Sequence, residues 1–285
     1  MRFIQHKKEA YWFYRVLSPL YDRWVNPLFW TPAMRSGALA LARLDDPGLR
    51  TVDVGAGTGF STEGIVEHVE PASVTLLDQS PDQLRRAARK PRLAGCRTVL
   101  GDAERLPFAA DAFDRYVSCG SIEYWPEPER AIAEAWRVLR PGGMALVVGP
   151  LPPGGRLARW LAEAWMLFPT EAEYRRLFEE AGFEDLETAY VEAPWGRDGG
   201  APYGMAIAGR KPMAASAPAP EASAAAPGAL PAATGPPAED LHEPLTLARG
   251  ARFAIRFVLG SLAGAVFVPV GIALNLRARR ARRRG

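Results

Sequence analysis

Short apolar runs alternate with amphipathic helical patterns between Thr51 and about Lys211. The runs end near Gly, Asp or Ser, as buried parallel strands do. They cover Thr51–Val54, Val74–Leu77, Thr98–Leu100, Arg115–Ser118 and Ala145–Val148. Helical periodicity falls between them, over Ser61–Val69, Asp82–Lys90 and Glu127–Leu139. This alternation predicts an α/β fold with a mostly parallel sheet, helices on both faces and ligands at the carboxyl ends of the strands.

The pattern loosens after Pro150, where two helices are expected. The second opens with a capping box formed by Thr170 and Glu173 and stops at Gly182. Two further apolar segments predict the last strands of the sheet, over Glu184–Ala193 and Tyr203–Gly209.

Three segments outside this α/β region differ from it in composition. Residues 1–45 are rich in aromatic side chains and predict one or two short helices that form an N-terminal lid. Residues 212–239 hold 12 Ala and 7 Pro, a composition that cannot bury a core, so residues 212–248 are predicted to be a disordered linker. Residues 249–285 follow as a separate C-terminal segment.

The C-terminal segment contains a stretch without a charged side chain, Phe257–Leu276. Twenty apolar residues in a helix are long enough to cross about 30 Å of hydrocarbon. We therefore predict a transmembrane helix that anchors the chain to a lipid bilayer. Gly260 and Gly264 form a GxxxG spacing that offers weak support for a dimer.

The charge on either side of this anchor leaves its topology open. Six Arg follow it, and the positive-inside rule then favours a cytoplasmic tail. A single crossing would place the preceding domain outside the cell, whereas a re-entrant hairpin at Pro269 and Gly271, or folding before insertion, keeps it inside. We expect a cytoplasmic catalytic domain at a bacterial inner membrane.

The net charge of +3 for 285 residues comes from the tail, because residues 249–285 hold nine Arg and no acid. The remaining 26 Lys and Arg against 32 Asp and Glu leave residues 1–248 at −6. This distribution argues against a nucleic-acid partner. Cys96 and Cys119, with no Cys/His cluster, exclude a disulfide scaffold and predict a reducing compartment without a metal site.

A glycine-rich turn directly follows the first predicted strand, with Asp53 before Gly55, Gly57 and Gly59. The spacing is G-x-G-x-G, and Phe60 stands where a dinucleotide fingerprint has its third glycine. The turn resembles motif I of class I S-adenosylmethionine methyltransferases. The resemblance implies that Asp53 lies near the methionine ammonium and that the three glycines pass close to the cofactor.

Polar residues at the ends of the next strands extend this prediction. Asp78 ends the second predicted strand, where a carboxylate can accept both ribose hydroxyls of a nucleoside. The resemblance assigns Asp102 to the adenine amino group, with Ala103 beside it. It also places Gln79 and Ser118 at the cofactor. Each aspartate by itself could equally be a helix cap.

Four further segments make the resemblance more specific: Arg2–Ala10, Leu77–Pro81, Gly120–Pro126 and Trp165–Pro169. They resemble the plant and cyanobacterial 2-methyl-6-phytyl-1,4-benzoquinol methyltransferases. That family implies a seven-stranded sheet over residues 46–211, S-adenosylmethionine as cofactor and a membrane-dissolved prenyl-quinol as substrate, in tocopherol or plastoquinone biosynthesis. Methylation of another membrane lipid, such as a demethylmenaquinol or a sterol, and a non-catalytic adaptor remain alternatives.

Methylation of a quinol ring carbon requires an acceptor for the hydroxyl proton, because the phenolate activates the ring. Glu123 follows the fourth predicted strand and is our leading candidate. Its simpler interpretation is a helix-start carboxylate ahead of Pro126. His6 and Tyr21, in the predicted lid, are weaker candidates for catalysis.

Overall fold

The computed structural model describes residues 30–153, 159, 167–191, 202, 204–213 and 258. Within these residues seven strands form one mixed sheet in the order β3-β2-β1-β4-β5-β7-β6. The strands are β1 Thr51–Val54, β2 Val74–Asp78, β3 Arg97–Leu100, β4 Phe113–Cys119, β5 Leu139–Pro150, β6 Glu184–Val191 and β7 Gly204–Arg210. The first five are parallel, and β7 pairs antiparallel with β5 and β6.

The described part of the chain also contains five α-helices: α1 Pro32–Leu39, α2 Phe60–Ile65, α3 Pro81–Ala87, α4 Pro128–Val138 and α5 Glu171–Glu180. Short 3-10 helices cover Ala40–Ala42, Pro71–Ser73, Pro91–Leu93 and Ile122–Tyr124. The last of these follows β4 and carries a predicted catalytic residue.

The parallel strands β1, β2 and β4 are buried on both faces, whereas the edge strands β3 and β6 are partly exposed. One face packs against α4 and α5, and the other against α1, α2 and α3. Side chains alternate between the two cores, so Leu77 and Tyr116 lie on the first face and Leu76 and Val117 on the second. The predicted placement of helices on both faces is confirmed.

The predicted capping box of α5 is confirmed. The N–H of Glu173 donates to Thr170 Oγ1 at 3.2 Å, and the N–H of Thr170 donates to Glu173 Oε2 at 2.7 Å. Gly182 follows the helix with a φ of +91°, and its carbonyl accepts from Trp136 Nε1 at 3.2 Å. This bond ties the end of α5 to α4 on one face of the sheet.

The structure differs from the predicted bounds mainly at helix ends and in β5. The two helices α2 and α3 end several residues earlier than predicted, because their last turns loosen before the following loops. In contrast, β5 begins at Leu139 instead of Ala145. The backbones of Gly142 and Gly143 pair with Lys211, which extends the strand through a Pro-Gly-Gly segment that normally interrupts one.

Several predictions fall outside the described residues. They are the lid over residues 1–29, the first helix after Pro150, and nearly all of the linker and the C-terminal segment. Among the residues that the structure does describe, no helix combines the length and the hydropathy needed to span a bilayer.

Candidate active site

The candidate site lies at the carboxyl ends of β2, β1 and β4. Strand β1 is flanked by β2 on one side and β4 on the other, so the chain order reverses around it. Open α/β sheets bind ligands in the crevice at such a point. Asp53 on β1, Asp78 at the end of β2 and Glu123 after β4 bring three carboxyl groups to this edge.

The loop from β1 to α2 turns on three glycines. Gly55, Gly57 and Gly59 have φ values of +69°, +56° and +81°, which glycine adopts without steric cost. The N–H of Gly55 donates to the carbonyl of Leu77 at 2.8 Å and so ties the loop to β2. A Cβ on Gly55 would lie 2.5 Å from Ser121 Cβ, whereas no described atom lies within 4 Å of a Cβ on Gly57. The loop is packed at Gly55 and open at Gly57.

Asp78 closes the other side of this loop. Its Oδ2 accepts from the N–H of Gly57 at 2.9 Å, and its Oδ1 accepts from the N–H of Ser80 at 2.8 Å. Burial raises the pKa of Asp78, and these two backbone hydrogen bonds act in the opposite direction. Asp78 is where the sequence predicts it, and the chain's own backbone holds both of its oxygens.

Asp53 is completely buried within β1. Its Oδ2 accepts from Ser61 Oγ at 2.7 Å and from Thr62 Oγ1 at 2.6 Å, which fixes the first turn of α2. Its Oδ1 has no hydrogen-bond partner in the described part of the chain. Burial raises the pKa of Asp53 to about 6, although the two hydroxyls lower it.

The loop after β3 carries the predicted adenine contacts. The strand ends at Leu100, as predicted, and Asp102 lies two residues beyond this end. Asp102 Oδ1 accepts from the N–H of Glu104 at 3.0 Å, and Ala103 packs against the core. Glu104 is buried and accepts from the N–H of Glu127 at 2.7 Å, which attaches the loop to the segment before α4.

Glu123 lies in the 3-10 helix after β4, and the residue is 9% exposed. Its Oε2 is buried without a hydrogen-bond partner among the described residues. Burial raises the pKa of Glu123 to about 7, and only a bond within its own residue opposes this rise. Because α4 begins at Pro128, Glu123 does not lie in the first turn of that helix. Glu123 is, however, the acidic residue in the first turn of the 3-10 helix Ile122–Tyr124, so the simpler interpretation of a helix-start carboxylate applies to that short helix and not to α4.

Two predicted cofactor residues flank these carboxyl groups. Ser118 lies in β4, is buried, and shares a hydrogen bond with Ser121 between their hydroxyl oxygens. Gln79 is half-buried directly after Asp78. Of the predicted catalytic residues, His6 and Tyr21 lie outside the described residues.

Tyr174 is a residue at the site edge that the sequence does not reveal. It is completely buried in α5, and its hydroxyl donates to the carbonyl of Pro150 at 3.3 Å. A side chain on Gly149 would overlap this hydroxyl. Burial and, second, the negative charge of Glu123 raise the pKa of Tyr174. An aromatic residue on the apolar side of an amphipathic helix gives no signal beyond core packing.

Both cysteines are free thiols, and burial raises the pKa of Cys119 well above its ordinary value. In the ranges that the structure describes, no group of three His, Cys, Asp or Glu side chains is arranged to hold a metal ion.

Comparison with known proteins decides the family. Residues 52–147 match the model of a methyltransferase domain. The chain is 48% identical over 279 residues to 2-methyl-6-phytyl-1,4-hydroquinone methyltransferase 1 of Oryza sativa subsp. japonica, a match that covers 97% of this chain and 80% of the rice protein. This chain belongs to the 2-methyl-6-phytyl-1,4-hydroquinone methyltransferase family. It is a methyltransferase that uses S-adenosyl-L-methionine as methyl donor.

A second relative and a solved structure agree with this placement. The 2-methyl-6-phytyl-1,4-hydroquinone methyltransferase of Arabidopsis thaliana is also 48% identical, over 97% of this chain and 78% of its own length. Both plant proteins are named as chloroplastic. A methyltransferase structure from Thermotoga maritima shares 22% identity with a TM-score of 0.57, over 70% of this chain and 99% of its own. That likeness shows the fold, which is the class I Rossmann-like fold of this methyltransferase family.

The residues at the site fit the methyl donor of the family. The loop at Gly57 has space for a ligand to approach the backbone. The unpartnered oxygen of Asp53 is an acceptor suited to an ammonium group, and Asp78 is an acceptor suited to hydroxyls.

Proposed function

We propose that this chain transfers a methyl group from S-adenosyl-L-methionine to a ring carbon of a 2-methyl-6-phytyl-1,4-hydroquinone or a closely related prenyl-quinol, in tocopherol- or plastoquinone-type biosynthesis. The observation that carries the choice of acceptor is the identity of 48% to plant enzymes named for this substrate, along 97% of the chain. The identity extends beyond the matched domain, so it includes segments that a general methyltransferase need not share.

In this proposal the loop between β1 and α2 binds the cofactor through the backbone at Gly55, Gly57 and Gly59. The free oxygen of Asp53 accepts from the methionine ammonium, and Asp78 accepts from the ribose hydroxyls. A carboxylate oxygen has more than one lone pair, so Asp78 can keep its bonds to Gly57 and Ser80 while it accepts further ones.

The remaining cofactor contacts come from the neighbouring loops. Asp102 and Ala103 contact the adenine, and Gln79 and Ser118 complete the site beside the ribose and the end of β4. These assignments follow from the family motifs and from the position of each residue at the carboxyl edge of the sheet.

Bound S-adenosyl-L-methionine supplies an electrophilic methyl group on its sulfonium. Glu123 accepts the proton of the quinol hydroxyl, because its pKa of about 7 leaves a substantial fraction ionised at neutral pH. Such a carboxylate is more basic than an exposed one and is still available as a base. Loss of the proton places charge on the ring oxygen and makes the adjacent ring carbon nucleophilic. That carbon would take the methyl group, with S-adenosylhomocysteine as the leaving group. The hydrogen on the same carbon then leaves as a proton and the ring oxygen regains one, so the aromatic quinol is restored and one proton is released overall.

The N-terminal segment of residues 1–45 completes the proposal as a lid over the acceptor ring. Tyr21 and His6 are the polar side chains that we assign to the quinol hydroxyls from this lid. Within the described part of the segment, α1 packs against α2, which begins at the cofactor loop. This contact supports the proposed position of the lid next to the site.

We further propose that residues 257–276 anchor the enzyme to the bilayer that holds its substrate. The match to the plant enzymes covers 97% of the chain and therefore includes most of residues 249–285. The linker of residues 212–248 then allows the catalytic domain to reach the membrane from the cytoplasmic side of a bacterial inner membrane. Gly260 and Gly264 would be the contact of a dimer in the membrane.

The acceptor is tested with the full chain in liposomes and methyl-labelled S-adenosyl-L-methionine. Three lipids are offered separately: 2-methyl-6-phytyl-1,4-hydroquinone, a demethylmenaquinol and a sterol. We expect label in the organic phase mainly with the first. Label mainly on another lipid, or on none while the cofactor binds, would contradict the proposed acceptor.

The anchor is tested by flotation of the same liposomes with the full chain and with residues 1–248. We expect the full chain to float with the vesicles and the shortened chain to stay in the aqueous fraction. Equal flotation of the two proteins would contradict an anchor in residues 249–285.

A further inference from the structure

Ser121 lies at the start of the 3-10 helix that carries Glu123, where a serine side chain normally accepts a hydrogen bond from the first turn. Within the described residues it makes no such bond. Its hydroxyl donates instead to the carbonyl of Val54, the last residue of β1, at 3.4 Å. Its hydroxyl also shares a hydrogen bond with the Ser118 hydroxyl, in which either oxygen can be the donor. The serine is therefore directed across strands rather than into its own turn.

The same serine is in direct contact with the cofactor loop. A Cβ built on Gly55 would lie 2.5 Å from Ser121 Cβ and 2.7 Å from its Oγ, so this position accepts only glycine while Ser121 keeps its place. Val54 and Gly55 are neighbours in the chain. Ser121 thus joins the turn after β4 to the loop after β1 by a hydrogen bond and by close packing.

The Glu123 carboxyl group lies on the same turn as Ser121. Its Oε2 has no hydrogen-bond partner in the part of the chain that the structure describes. The backbone of its turn is held by the N–H of Leu167, which donates to the Glu123 carbonyl at 3.1 Å, and by the bond from Ser121 to Val54. The N–H of Gly120, directly before Ser121, also donates to the Val148 carbonyl at 2.8 Å. Of these ties, the one through Ser121 leads to the cofactor loop.

We propose that Ser121 is a positioning residue for methyl transfer, which sets the distance between the Glu123 carboxyl and the cofactor loop. The inference rests on the proposed function of Glu123 as proton acceptor. A proton acceptor on β4 and a methyl donor bound mainly by β1 and β2 must keep one geometry, and errors of about 1 Å can cost on the order of 100-fold in rate. Ser121 connects the turn that carries Glu123 directly to the loop after β1.

The test is a double-mutant cycle with Ser121→Ala and Glu123→Gln in the full chain, with kcat for the phytyl-hydroquinone and the Kd of S-adenosylhomocysteine as readouts. Ser121→Ala keeps the Cβ contact with Gly55 and removes the hydroxyl. We expect roughly a tenfold loss of kcat in the presence of Glu123. In the Glu123→Gln background we expect a loss of less than about twofold, because the group that Ser121 positions is gone.

Two further variants separate positioning from general loss of structure. Ser121→Cys keeps the shape with a weaker donor and should reproduce the loss of kcat with little change in thermal stability. Ser73→Ala removes a buried serine hydroxyl directly before β2 and should leave kcat unchanged.

The outcomes distinguish the two proposals. Equal fractional losses of kcat in both backgrounds, or a loss confined to cofactor affinity, would overturn the role of Ser121. An unchanged kcat in Glu123→Gln alone would instead overturn the role of Glu123 and, with it, this inference.

Discussion

Asp78 and Glu123 are both buried carboxyl groups at the same edge of the sheet, and their surroundings differ. Both oxygens of Asp78 accept backbone N–H groups, from Gly57 and Ser80. Glu123 has a buried oxygen with no partner in the described residues. Burial raises the pKa of both groups, but only Asp78 has hydrogen bonds from other residues that oppose the rise.

This difference separates a binding role from a chemical one. A carboxyl group whose two oxygens accept backbone N–H groups is fixed in place and oriented, which suits recognition of ribose hydroxyls. A buried carboxyl group without such bonds exchanges its proton near neutral pH, which suits proton transfer. The hydrogen bonding of Asp53 is intermediate: one oxygen accepts from two hydroxyls, and the other has no partner among the described residues.

The largest expected effect comes from Glu123→Gln. The amide keeps the shape of the side chain but cannot accept the quinol proton, so kcat should fall by about 100- to 10,000-fold. The Kd of S-adenosylhomocysteine, measured by calorimetry, should stay within about twofold because Asp78 is unchanged. Glu180→Gln, at the exposed end of α5, is the matched control and should retain full activity. A normal kcat in the Glu123→Gln enzyme would show that the two carboxyl groups do not differ in the way proposed.

The second effect is on the pH dependence of the free energy of unfolding. The pKa of Glu123 is about 7 in the folded protein against 4.5 ordinarily, so the folded state binds the proton more tightly. Its contribution to the free energy of unfolding is greatest below pH 4.5 and is lost as pH rises through 7, by on the order of 3 kcal/mol. The free energy of unfolding, measured with urea, should therefore fall less between pH 5 and pH 8 in Glu123→Gln than in the parent chain. The same pH slope in both proteins would place the raised pKa on another group.

Asp78→Asn should mainly weaken cofactor binding. The amide loses one acceptor oxygen for the ribose hydroxyls and presents an NH₂ group to the N–H of Gly57 or Ser80. We expect the Kd of S-adenosylhomocysteine to rise by roughly 10- to 100-fold, with kcat at saturating cofactor within a few-fold of the parent. A variant with unchanged Kd and a large loss of kcat would reverse the roles assigned to Asp78 and Glu123.

The smallest effect concerns Asp53. Thr62→Val removes one hydroxyl that donates to its Oδ2, and the pKa of Asp53 should then rise further above 6, by about one unit. Cofactor affinity at pH 6.5 should fall by a few-fold, while affinity at pH 8 changes less. Thr75→Val is the matched control, because Thr75 is buried and its hydroxyl has no partner within the described ranges. Equal pH dependence in the two variants would contradict the role of the hydroxyl.

The sequence predicts the fold and the cofactor edge well because their signals are local. Each parallel strand is a short apolar run, and the turn from Asp53 to Gly59 is contiguous in the chain. Asp78 was predictable because it ends such a run. The early start of β5 was not, since it depends on pairing with Lys211, a residue far away in the chain.

The chemical side of the site is harder to predict because its contacts are between distant residues. Ser121 binds Val54, which is 67 positions away, and nothing in the residues around Ser121 indicates this bond. Glu123 is predictable as a candidate from its place after β4, but its lack of a described partner depends on tertiary packing. Tyr174 follows the period of a core helix residue and gives no local sign of its position beside Glu123.

The central claim, that Glu123 accepts the quinol proton, is tested most directly by the pH dependence of a single turnover. Parent enzyme and Glu123→Gln, each saturated with S-adenosyl-L-methionine, are mixed with the phytyl-hydroquinone between about pH 5.5 and 9, and methylated product is measured. The account predicts that the parent rate rises with pH and levels off above an apparent pKa near 7, and that Glu123→Gln is slow with no such step. The same step in both proteins would contradict it.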